Sequence, residues 1–69
     1  MDKQELDSIM QASFGITETH ITILGRLIAL CRFQHLHAEA DQLEVQASSL
    51  LQNLAHRREA WTMSKDREA

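Results

Sequence analysis

Residues Ile16–Phe33 read ITETHITILGRLIALCRF, and the width of their apolar surface decides how the chain has to fold. At about 100° per residue on a helix, Ile16, Ile21, Ile23, Leu24, Leu27, Ile28, Leu30 and Cys31 fill roughly half the circumference. A helix packed on one neighbour needs a stripe of little more than ~100°. The surplus has to face a second helix of the same chain or another molecule.

Outward from this stretch the chain is uniformly helix-forming. It contains no proline, and its only glycines are Gly15 and Gly25. Alanine, leucine, glutamine and glutamate favour helix, and the β-branched run Ile21–Ile23 is too short to outvote them. The fold class is all-α, one small domain over 1–69. Asp2 and Glu5 have capping-box spacing, which starts a short N-terminal helix over 1–14 with Leu6, Ile9 and Met10 on its apolar side. Gly15 suits the left-handed residue that ends such a helix. Thr17 then caps a first hairpin helix over 17–35. A second capping-box spacing, Asp41 to Glu44, starts the second hairpin helix over 41–63, although a start as early as Leu36 also fits. The polar tail, Ser64–Ala69, frays.

Leu36, Ala40, Leu43, Ala47, Leu50 and Leu54 recur at alternating steps of four and three, a heptad seam with small residues in one of its two core positions. Arg57 breaks this seam and Trp61 resumes it. Ile21, Leu24, Ile28 and Cys31 supply the matching seam, so the two long helices join as an antiparallel hairpin. The hairpin leaves Ile23, Leu27 and Leu30 as a second stripe. Either the N-terminal helix folds over it through Leu6, Ile9, Met10 and Phe14, closing a three-helix bundle, or it faces a partner. Phe33 extends the partner-facing set, and Trp61 is its best single anchor, because tryptophan buries much area at low entropy cost.

Composition narrows the function. With 69 residues, a single core barely offsets chain entropy, and such chains lean on disulfides, a metal or a partner. Cys31 is the only cysteine, which excludes an internal disulfide and fits a reducing compartment. The net charge of −3 counts against nucleic acid or anionic membrane as a partner. The start, MDKQELDSIMQ, has no secretion-signal pattern. His20, Arg26 and Arg32 interrupt the one stretch that could span a bilayer. A cytoplasmic location follows as the expectation.

Little in the chain points to chemistry. Cys31, His35 and Glu39 are four apart and share a side if one helix runs through them, with His37 nearby, yet strong zinc signatures use two separated ligand pairs. No metal or other cofactor is expected. A cysteine–histidine pair lacks a pocket or oxyanion site around it, so the chain does not read as an enzyme. Gly25 and Ala29 form either a tolerated small patch or a surface for close helix approach. Arg57, Arg58, Lys65 and Arg67 around Trp61 mimic a nucleic-acid surface, but Glu59, Asp66 and Glu68 offset them.

In size and in its layout of two arms, Thr17–Phe33 and Asp41–Met63, the chain resembles the small helical-hairpin co-chaperones of type III secretion needle subunits. It departs from them in lacking a glycine at the turn. The resemblance implies a non-catalytic adaptor that forms a hetero-oligomer with a helical-repeat chaperone. The other expectations are a homodimeric four-helix bundle that binds RNA or acts in transcription, and a small inhibitor that occludes its target.

Overall fold

A computed structural model describes residues 2–68, with side chains to Asp66. Two helices make up the fold: α1 (Lys3–Phe33) and α2 (His37–Glu68). They pack along their lengths as an antiparallel hairpin. The all-α hairpin expected from the seams is present. The separate N-terminal helix is not.

Asp2 caps α1, its Oδ1 accepting from the Gln4 backbone N–H at 2.8 Å. The helix then passes straight through Gly15, which has no left-handed backbone. Thr17, expected as an N-cap, lies inside the helix, and its hydroxyl donates to the Ser13 carbonyl one turn back at 3.2 Å. Thr19 and Thr22 do the same to Gly15 and Glu18. Tertiary packing explains the continuity. Asp7, Met10, Phe14 and Thr17 extend the three-and-four spacing of Ile21, Leu24, Ile28 and Cys31 without a break, and all eight are buried or half-buried. A stop at Gly15 would forfeit the N-terminal half of that seam, far more than the ~1 kcal/mol a helical glycine costs.

The chain reverses over Gln34–Leu36. The Leu36 N–H donates to the Cys31 carbonyl at 2.7 Å, and the His35 N–H to the Arg32 carbonyl at 3.0 Å. This is a Schellman closure, with His35 at φ 63° in the place glycine usually takes. α2 begins at His37, four residues before Asp41, and runs past Met63 to Glu68. Asp41 and Glu44 therefore do not cap it. Both instead accept from Arg32 Nη2 across the turn, at 3.0 and 2.7 Å.

The core is thin. Phe14, Leu24, Ala40 and Leu54 are the buried apolar residues among those described. Ala40, with no exposed surface, lets the helices approach beside the turn. The radius of gyration is 15.9 Å, against about 11 Å for a compact domain of this length.

Candidate functional site: the outer face of helix α1

The two sides of the α1–α2 seam differ. One side is closed by charge: Arg32 with Asp41 and Glu44, Glu18 with Arg58, and Asp7 with Lys65. Glu18 stands about 200° around the helix from Ile16. The α1 surface turned away from these pairs carries Ile9, Ile16, Ile23 and Leu30 at steps of seven residues. Leu6 and Leu27 run beside them, with exposed His20 in one gap and Ser13, half-buried against α2, in the other. All six apolar residues are exposed, including Ile23 at 57%, Leu27 at 42% and Leu30 at 62%. An open groove lined by Ala12, Gly15, Ile16, Thr19, His20 and Ile23 lies at the middle of this row.

Leu6 and Ile9 do not fold over the stripe of Ile23, Leu27 and Leu30. They stand in line with it on the same helix and lengthen it, while Met10 and Phe14 enter the hairpin seam. Removal of the separate first helix thus enlarges the uncovered face. Phe33, at the last residue of α1, is 79% exposed and about 60° around from Leu30. Along the hairpin interior, Leu24 and Leu54 are buried, and Ile21, Ile28, Cys31, Leu43, Ala47 and Leu50 are half-buried.

Trp61 is placed differently from that row. It is half-buried at the open end of the hairpin, where its Nε1–H donates to Asp7 Oδ1 at 2.9 Å. Lys65 Nζ donates to the same oxygen, also at 2.9 Å. These two donors, Lys65 foremost, hold the Asp7 carboxyl below its ordinary pKa. The hydrogen bonds to Glu44 and Asp41 raise that of Arg32 further. Asp7 was not singled out in the sequence. Its seam position opposite the Trp61 end was the available signal.

Arg57, Arg58 and Lys65 of α2 are engaged within the chain. Arg57 donates to Ser13 Oγ at 3.2 Å, and Arg58 pairs with Glu18. Both guanidinium groups lie over the Phe14 ring, at 5.4 and 5.5 Å from its centroid. The side chain of Arg67, counted with this cluster in the sequence, lies outside the described residues. Cys31 is half-buried in α1, His35 is in the turn and Glu39 is in the first turn of α2, so no single helix aligns them. A ligand group of three or more His, Cys, Asp or Glu residues is not found among the described residues. Gly25 is exposed, with nothing within 4 Å of where a Cβ would stand. By length and composition alone α1 could cross a membrane.

Comparison with protein-family models, with curated proteins and with solved structures returned no match.

Proposed function

We propose that this chain is a non-catalytic protein-binding module that offers the outer face of α1 to another helix. The observation that carries this reading is the exposed apolar row from Leu6 to Leu30. Its heptad spacing is the pattern that lets side chains of a facing helix seat between its own. A single-helix hairpin contact leaves this row in water, and burial at ~25 cal/mol per Å² favours covering it.

Within this class the layout is similar to the small co-chaperones of type III secretion needle subunits, with Lys3–Phe33 and His37–Glu68 as the arms. RNA binding has less support, because Arg57, Arg58 and Lys65 already contact Phe14, Ser13, Glu18 and Asp7. A cytoplasmic setting is part of the proposal.

Leu27→Asp and Leu30→Asp test the face. The expected result is loss of association, with self or with another protein, while far-UV circular dichroism keeps its helical signal. Association equal to that of the native chain in both variants would overturn the reading.

A further inference from the structure

We propose that residues 3–14 form a strap hinged at Gly15, which detaches from α2 as a unit while the rest of the hairpin stays closed. The proposal concerns the inner side of α1 and goes beyond the helix-binding reading of its outer face.

The seam changes chemistry near the hinge. On the turn side it is apolar: Leu24 and Leu54 are buried, and Ile21, Ile28, Leu43 and Leu50 are half-buried. Toward the open end it is stitched by polar groups. Asp7 accepts from Trp61 and Lys65, and Ser13 accepts from Arg57. Over residues 55–66 of α2, every side chain except half-buried Trp61 is exposed. The strap's buried residue is Phe14, and the groups over its ring are the guanidinium heads of exposed Arg57 and Arg58. Exposed polar contacts exchange for water at little cost. The strap half of the seam therefore opens more easily than the apolar half.

Local signals for a break stand where the strap ends. Gly15 is exposed, with open space where a Cβ would be. Glycine disfavours helix interiors and suits helix ends. Two residues on, the Thr17 hydroxyl donates to the Ser13 carbonyl. Once the strap leaves, that hydroxyl is free to cap the shortened helix by accepting from a first-turn amide. Packing on α2 is thus what keeps α1 continuous. A helix as short as the strap is marginal in water by itself, so a released strap melts and its amides lose protection together. Release bares Met10 and Phe14 on a segment that already exposes Leu6 and Ile9. The closed strap keeps the first two covered.

Amide hydrogen exchange of the full native chain, followed residue by residue by NMR, tests the hinge. Residues 7–14 should share one level of protection, about tenfold or more below that of residues 22–31. Ile28→Val weakens the apolar half alone. It should speed exchange over residues 22–31 by about threefold or more and leave residues 7–14 unchanged, because the strap opens without disturbing Ile28. Gly15→Ala should slow exchange over residues 7–14 by about threefold to fivefold, since opening takes residue 15 out of the helix. Equal protection in the two stretches, moving together in Ile28→Val, would show one cooperative unit and overturn the strap. Protection that declines gradually from Phe14 to Asp7 and ignores Gly15→Ala would also overturn it, as the mark of a fraying end without a hinge.

Discussion

Arg57 occupies the seam position that faces Phe14, and its guanidinium carbon lies 5.4 Å from the ring centroid. The residue that interrupts the leucine–alanine pattern of α2 is thus the cover of the largest side chain that is fully buried among the described residues, at 1% exposure. Its aliphatic stem packs while its charged head reaches Ser13 and solvent. Phe14→Leu should lower unfolding stability by about 1–2 kcal/mol, and Arg57→Ala by about 1 kcal/mol. In urea titrations the double variant should lose less than the sum, with a coupling of about 0.5–1 kcal/mol. Strict additivity would show that the two do not act as one layer.

His35 holds a left-handed conformation at the reversal, which costs a non-glycine residue roughly 1–2 kcal/mol. His35→Gly removes that cost and loses a little to backbone entropy in the unfolded chain. A gain of about 1 kcal/mol is expected, a rise in Tm of several degrees for a domain this small. A lowered Tm would contradict the turn geometry.

Gly15 sits inside α1 with open space around it. Gly15→Ala should raise stability by about 0.5–1 kcal/mol in thermal unfolding. A helix that ended at Gly15 with positive φ would instead be destabilised by the added Cβ. The sign of the change decides between a continuous α1 and an interrupted one.

The open end of the hairpin depends on Asp7. Its folded-state pKa is depressed by Lys65 and Trp61, so this stabilisation is present above the unfolded value of about 3.9. It is lost as pH falls through the lower folded value. Fluorescence of Trp61, the only tryptophan, should shift as the end opens in that acid range. In Asp7→Asn the shift should be absent, with the neutral-pH spectrum already changed. An identical acid profile in Asp7→Asn would place the transition elsewhere.

The sequence made the helical class and both seams readable because heptad spacing survives any uncertainty in helix ends. The boundaries were harder, for a physical reason. Capping boxes and glycine are local signals, and packing overrode all of them but Asp2, which does cap α1. Gly15 and Thr17 looked like a stop and a start, yet Phe14 and Thr17 belong to a seam that only an unbroken helix can complete. Asp41 and Glu44 looked like a cap, yet Arg32 claims both carboxylates across the turn. The stop that does occur uses His35, a residue with no strong left-handed signature. The exposed face was legible as Ile23, Leu27 and Leu30, but its true length was hidden until Leu6 and Ile9 joined the same helix.

Thermal unfolding of the native chain over a hundredfold range of concentration is the most direct measure of whether the exposed α1 face is an association surface. If association completes the fold, Tm rises with concentration, and Ile23→Asp both lowers it and removes the dependence. A native Tm that stays fixed across that range, unchanged by Ile23→Asp, would contradict the account.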